Sequence, residues 1–331
     1  MLGVPSYQRA KPLGPALLGT VKAPVPVPIS TGVRPALPAY ALDGRPLHWN
    51  AGRTAVMFDS TNEEYHSDRG AVSSTGLKVL LKSPAHFRTY QCGPRPKELD
   101  SQRIGTAVHA AVLEPQRFKT DYVVWPSRRG ASGWKAFAAA NSAKVILTRG
   151  EYDQVVSCAK SILATEALQD QQGSIFTVED LIAHGTCERN LYWVDEATGI
   201  TCRMRADLMI QGVTADLKTV DDARPERFAW QCVRHDYDVQ AAFYLRGRKA
   251  FDPSANSFPF IFIAAELNAP HCAVVHTADE EAFIEHGDKR VSEALALLKS
   301  CQSASSFPGY QRPRTTLKLP LSARYPRGLD I

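Results

Sequence analysis

The chain has 331 residues, with 39 Lys and Arg against 34 Asp and Glu, and a formal net charge of +5. Hydrophobic residues make up 44% and charged residues 22%, an ordinary globular composition that excludes a wholly disordered or fibrous chain and allows one large domain or two ordinary ones. The densest apolar run, around 258–265, is too short to span a bilayer. Seven scattered cysteines without a C-x-x-C argue against a disulfide scaffold, a zinc ribbon or a cysteine-held iron–sulfur cluster, and suit a cytoplasmic location.

In chain order, residues 1–42 hold no acid and four basic residues, Arg9, Lys11, Lys22 and Arg34. Prolines at 5, 12, 15, 24, 26, 28, 35 and 38 forbid a helix there and favour extended chain. The expectation is a basic, Pro-rich leader over 1–60, a folded body over 61–302 and a basic tail over 303–331. Regular structure is expected from near Ser73, where Ser74 or Thr75 can cap a helix carrying Leu77, Leu80 and Leu81. Ser83-Pro84 restarts a second helix in the N-cap/N1 pattern. Asp100 or Ser101 can cap the next, whose Ile104, Ala107, Val108, Ala111 and Val112 form an i, i+3, i+4, i+7, i+8 stripe ending before Pro115. A short strand follows at 121–125, then helical stretches over 134–146 and 150–170 with Gly173 as their stop. Strand character takes over in 186–220. Two helices, about 224–234 and 237–249, precede strands at 259–267 and 271–277 and a last helix at 279–300. No internal repeat is present. This order predicts an α/β fold, a mixed central sheet flanked by helices.

The chemistry concentrates in Thr201-Cys-Arg-Met-Arg-Ala-Asp207-Leu-Met-Ile-Gln-Gly-Val-Thr-Ala-Asp216-Leu-Lys218. If Gln211-Gly212 is a two-residue hairpin loop, Ile210 pairs with Val213 and Asp207 lies opposite Asp216. Opposed residues share a face with Cβ atoms roughly 4.5–5.5 Å apart, and Lys218 shares the face of Asp216 by the period of two. Two carboxylates this close repel unless a divalent cation lies between them, and hard oxygen ligands suit Mg²⁺, or Mn²⁺ in its place. The competing reading is a salt bridge on an exposed hairpin. Apolar neighbours at Leu208, Met209, Ile210, Leu217 and Val220 weigh against it. His109 stands at the border of the apolar stripe, one turn after Gly105; it is either a metal-binding imidazole or an ordinary border residue. Glu114, at the end of that helix, reads on its own as a surface charge. Gln240 and Tyr244, spaced i, i+4, share a helix face and can hydrogen-bond phosphate or the lysine.

Taken in order, Ser73-Ser-Thr-Gly-Leu-Lys…Ser83-Pro-Ala-His-Phe, Gly105-Thr-Ala-Val-His109-Ala-Ala-Val-Leu-Glu114-Pro, Arg205-Ala-Asp207, Asp216-Leu-Lys218-Thr and Tyr237-Asp-Val-Gln240-Ala-Ala-Phe-Tyr244 resemble the RecE-type exonuclease (exodeoxyribonuclease VIII) domain over about 65–300. That domain is placed in the RecB-like branch of the PD-(D/E)xK nuclease superfamily. The resemblance implies the restriction-endonuclease-like core, His109, Asp207 and Asp216 as metal-binding residues, and Lys218 as the catalytic lysine. Gln240 and Tyr244 would steady the lysine and the substrate phosphate. Ser73 and Thr75, at a helix start, would hold the 5′-phosphate of a DNA end, with Glu114 on the substrate side. It further implies a Mg²⁺-dependent enzyme acting on double-stranded DNA ends 5′→3′ without ATP. Such an enzyme serves recombination and repair, in a phage or prophage setting, beside a single-strand annealing protein and as a ring-shaped homo-oligomer.

Two alternatives stand beside this reading: a restriction-like or structure-specific endonuclease, and a non-catalytic DNA-end-binding recombination partner. A metal-free structural domain fits the joint motif set poorly. The charge is uneven. Between the basic ends, residues 43–300 carry 30 basic and 33 acidic residues, so a nucleic-acid role rests on the hairpin, and the ends become candidates for salt-sensitive DNA contact.

Overall fold

A computed structural model describes residues 55–58, 62–94, 100–169, 173–210, 212–253 and 259–310. The chain runs β1 (Ala55–Phe58), α1 (Asn62–Ser67), α2 (Ser74–Lys82), α3 (Pro84–Cys92), α4 (Asp100–Leu113), α5 (Pro115–Asp121), β2 (Tyr122–Trp125) and α6 (Trp134–Ala140). Next come β3 (Val145–Thr148), α7 (Arg149–Ala164), β4 (Glu166–Gln169), β5 (Ile175–Thr177), α8 (Val178–His184), β6 (Thr186–Val194), β7 (Thr201–Ile210) and β8 (Val213–Val220). It closes with α9 (Pro225–His235), α10 (Tyr237–Phe251), β9 (Phe260–Glu266), β10 (Ala273–Thr277), a π-helical turn (Glu280–Glu285) and α11 (His286–Ser303).

Six strands form the central sheet in the order β1-β6-β7-β8-β9-β10. Only the β8–β9 pair is parallel, as the intervening α9 and α10 crossover requires, so the sheet is mixed as expected. Strict alternation splits the core in two. Phe260, Phe262 and Ala264 of β9 pack with α2, α3, α9, α10 and α11, whereas Ile261, Ile263 and Ala265 pack with α4, α7 and α8. The sheet is buried on both faces, which explains the near-continuous apolar run in β9.

Several expectations are corrected. The leader does not extend to residue 60, because Ala55–Phe58 forms an edge strand paired with β6; residues 1–54 lie outside the described residues. The N-cap of α2 is Ser73, whose side chain accepts from the Gly76 N–H, not Ser74 or Thr75. Ser83 caps α3 with Pro84 in the first turn, as its sequence suggests. Asp100 is the first residue of α4, and its side chain and that of Ser101 lie outside the description. The helix expected over 134–146 ends at Ala140, a turn follows, and residues 145 and 146 already belong to strand β3, where Val145-Ile-Leu-Thr pairs in parallel with β2. Likewise α7 ends at Ala164, and Glu166–Gln169 turns into β4. Gly173 is no helix stop; it takes φ +84° just ahead of β5.

Candidate active site

The site grows out of the β7–β8 hairpin. Gly212 takes φ +80°, a conformation glycine adopts without steric cost, and Ile210 pairs with Val213 as expected; Gln211 lies outside the described residues. The ladder continues through Met209↔Thr214 to Leu208↔Ala215 and stops one pair short of Asp207. From there β8 runs with β9 and β7 stays with β6, so the two strands part. Asp207 Oδ2 reaches into the gap and accepts from the Leu217 N–H at 2.7 Å, a bond a regular ladder would have given to a carbonyl. The same break shows in side-chain alternation: Cys202, Met204 and Ala206 enter one core, while Leu208 enters the other. Beyond the break, the Val72 N–H donates to Thr201 O at 2.9 Å and the Arg203 N–H donates to Val72 O at 2.8 Å. This bridge sets the N-terminus of α2 in the opening between the strands.

The carboxylates therefore lie beside each other but in different company. Asp216 is 2% exposed. Its Oδ1 accepts from Gln240 Nε2 at 2.7 Å, and its Oδ2 forms an ion pair with the Lys218 ammonium. Burial alone would lower the Lys218 pKa, but the charges of Asp216 and Asp207 outweigh it and the pKa is raised. Asp207 instead meets His109, whose Nδ1 lies 3.6 Å from Oδ2. The reading of an exposed hairpin salt bridge is thus corrected: the Asp216–Lys218 pair is real and buried.

His109 is placed by Gly105. A Cβ at Gly105 would stand 2.7 Å from Thr219 Oγ1, so only glycine lets α4 lie this close to β8. One turn later His109 faces the strand opening. Burial first, and the Lys218 charge second, hold the imidazole down at about 4, so it is neutral at physiological pH.

Glu188 completes the arrangement, and sequence reasoning missed it. It lies on β6 between the pairs Cys187↔Leu208 and Arg189↔Ala206, opposite Asp207 in register, with φ +54°. A non-glycine residue in left-handed backbone is strained. The available signal was a charged residue at mid-strand, in register with a carboxylate on the neighbouring strand. Among the described residues, donor atoms of His109, Glu188 and Asp207 converge within 4.8 Å of one another. Burial, then Asp216 and Glu188, hold Asp207 well above the usual carboxylate range. Burial, then Glu114, push Glu188 up to about 7. A neutral imidazole with two mutually repelling, half-buried carboxylates is a donor set that fits a divalent cation. Asp216 stands outside this set, turned to Lys218 and Gln240.

The remaining expected residues fall around the same opening. A pocket of about 210 Å³ is lined by Ser73, Ser74, Thr75, Tyr65, Glu188, Arg205, Asp207 and Tyr244, among others. Tyr244 donates to the Arg205 carbonyl at 3.0 Å instead of approaching Lys218, and so fixes α10 to β7. Gln240 likewise spends its hydrogen bonds elsewhere than on Lys218: it joins Asp216 to Lys78, whose Nζ donates to Gln240 Oε1 at 3.2 Å. Glu114 accepts from Arg117 at 2.7 Å and reaches the site through its charge on Glu188. No helix among the described residues is long and apolar enough to cross a membrane.

Residues 73–312 match the family described as "PDDEXK-like domain of unknown function (DUF3799)". No curated protein matches the sequence. Among solved structures, the crystal structure of a "putative exonuclease" from Eubacterium rectale is similar, with a TM-score of 0.53 and 13% identity, covering 80% of this chain and 97% of that one. The likeness in structure is one of fold, while the family match spans the helix α2, both split strands and the α10 helix. The chain belongs to the PDDEXK-like family DUF3799 and is a member of the PD-(D/E)xK nuclease superfamily.

Proposed function

We propose that the protein is a metal-dependent exodeoxyribonuclease that degrades linear double-stranded DNA from its ends. It runs 5′→3′ without ATP, releases 5′-phosphate nucleotides and leaves 3′ single strands for recombination. The observation that carries this reading is the convergence of His109, Glu188 and Asp207 beside the buried Asp216–Lys218 pair. The RecE-type motif order and the name given to the Eubacterium rectale structure support the exonuclease form over other reactions of the superfamily.

In this reading His109, Glu188 and Asp207 would hold the cation, and Asp216 would be the further carboxylate open to it once Lys218 turns to substrate phosphate. A bound Mg²⁺ or Mn²⁺ supplies Lewis-acid polarisation of the phosphate and a lower pKa for a water. Lys218, whose pKa is raised, stays protonated; it acts as a cation on the non-bridging oxygens and not as a base. Water attacks phosphorus in line, and the bond from phosphorus to the 3′-oxygen of the terminal nucleotide breaks. That oxygen takes a proton and the nucleotide departs with a 3′-hydroxyl and the 5′-phosphate it already carried, while the attacked phosphate stays on the strand as its new 5′ end. Gln240 holds Asp216 in its buried orientation. Ser73 and Thr75 border the pocket at the α2 N-terminus, where free N–H groups suit the 5′-phosphate of the end. The domain limits follow from the same reading: a nuclease body from the β1 strand through α11, with basic extensions that touch DNA. A ring-shaped homo-oligomer and a single-strand annealing protein are the partners it implies.

Purified protein with linear and circular duplexes, bearing or lacking a 5′-phosphate, in Mg²⁺ or EDTA, tests this. Mg²⁺-dependent loss of linear DNA alone, faster with the 5′-phosphate, is the expected result. Nicking of circles would establish an endonuclease, and end binding without cleavage a non-catalytic partner.

A further inference from the structure

Lys78 has no part in the mechanism above, yet it sits inside the site. It lies on α2 one turn beyond Ser74, and its half-buried ammonium donates to Gln240 Oε1 at 3.2 Å. It also stands over the Tyr237 ring at 5.1 Å from the centroid, while Lys218 stands over the same ring at 4.8 Å. Two ammonium groups thus share one aromatic ring. Lys218 has Asp216 as its counter-charge; among the described residues no carboxylate forms an ion pair with Lys78. A half-buried cation left with an amide oxygen and a ring face, beside a second cation, lowers stability. The arrangement becomes favourable when an anion meets both ammonium groups.

We propose that Lys78 is a second phosphate-binding cation of the site, gripping the DNA strand being cut together with Lys218. The proposal rests on the nuclease reading and adds to it a substrate contact from α2. The link through Gln240 gives it a second consequence. Gln240 Nε2 donates to Asp216 while its Oε1 accepts from Lys78, so Lys78 also fixes which way the amide points. Burial first and Lys218 second hold Lys78 down at about 8. The other titratable groups around it are Asp216, Asp236 and Asp238, which favour the charged form, and Tyr237, His235 and Cys232 on α9 and α10. The ammonium is therefore largely charged at pH 7 and loses its proton just above it.

The test uses full-length protein with Lys78→Met and Lys78→Arg. Digestion of a linear duplex is followed against substrate concentration and pH, and binding of the same duplex in Ca²⁺ is followed against salt. Lys78→Met is expected to raise KM about tenfold or more, as loss of a charge-assisted phosphate contact does. It also lowers the slope of log affinity against log salt by about 1. Its melting temperature at pH 7 stays equal to wild type or rises, because a half-buried cation without an ion-paired carboxylate is gone. The wild-type alkaline limb of kcat/KM near pH 8 moves upward in Lys78→Arg, which keeps KM within a few-fold, and disappears in Lys78→Met. Wild-type KM and salt slope in Lys78→Met would overturn the proposal. So would parallel loss of melting temperature and activity that Lys78→Arg does not rescue, which marks a structural residue. If wild type binds the duplex but digests nothing in any metal, the nuclease reading falls, and the Ca²⁺ salt slope still decides whether Lys78 meets phosphate.

Discussion

At the scale of single residues, charge decides what each group can do. Asp216→Ala or Lys218→Ala is expected to abolish DNA digestion, with circular dichroism and gel filtration unchanged; digestion at the wild-type rate would remove the pair from the mechanism. The acids also make stability depend on pH. Glu188 has its pKa raised from 4.5 to about 7, so its contribution to stability is full below 4.5 and is lost as pH rises through 7. Asp207 acts in the same direction. His109, lowered from 6.5 to about 4, opposes them between those values, because there the unfolded chain binds the extra proton. Above 6.5 the acids act without that opposition. The melting temperature in EDTA is therefore expected to fall between pH 6.5 and 8, and Mg²⁺ or Mn²⁺ should cancel that fall. Glu188→Gln should flatten the EDTA profile and weaken the metal effect; an unchanged profile would take Glu188 out of the cation site. Asp207, Asp216 and Lys218 were legible because Gly212 fixes a two-residue loop and counting does the rest. Glu188 and Lys78 were not, since each meets the site through a contact more than a dozen residues away that no local period encodes.

Elements explain why that counting stops where it does. The hairpin register holds for three pairs, and beyond them β8 continues on its other ladder alone, the parallel one with β9 that runs from Thr214 to Val220. A period of two cannot announce the parting of two strands. It also cannot separate the start of a short apolar strand from the end of an Ala-rich helix, so the expected helix runs on over Val145 and Ile146. The i, i+3, i+4 stripe of α4 was plain, and the role of Gly105 in it depends on a neighbour, Thr219, that the sequence alone does not bring near. Gly105→Ala is expected to cost about 1–3 kcal/mol by overpacking against Thr219 Oγ1 and to slow digestion by moving His109. Thr219→Ala in the same chain should restore much of both, since the next nearest Thr219 atom to that Cβ is 3.8 Å away. If the double variant is no better than Gly105→Ala, the α4–β8 approach does not set the position of His109.

For the whole molecule, the two cores flank one sheet and the site opens where two of its strands separate. The tail expected from residue 303 begins as part of this body. Ala85 N–H donates to Pro308 O at 3.0 Å, Phe307 stacks on Phe87 at 6.4 Å, and Tyr310 lies 5.6 Å from His86. A deletion that asks about the basic ends must therefore begin after residue 310. Removing 1–42 and 311–331 takes away nine basic residues and one acid, Asp330. The truncated protein is expected to keep its melting temperature and to show a shallower dependence of DNA affinity on salt, measured by anisotropy across about 50–200 mM. An unchanged slope would show that the body alone meets the phosphates. Composition bounded the size and class of the fold, yet the net charge of +5 describes the ends and not the site, where acids and lysines meet.

The left-handed backbone at Glu188 separates what folding favours from what the site uses. A glycine there would adopt φ +54° without steric penalty and would remove one of two repelling acids, so Glu188→Gly should melt higher in EDTA than wild type. The same change deletes a donor, and the added stability from Mg²⁺ should shrink with it. Glu188 would then be a position where the more stable chain is the weaker metal binder, its left-handed backbone kept for the donor it places beside Asp207.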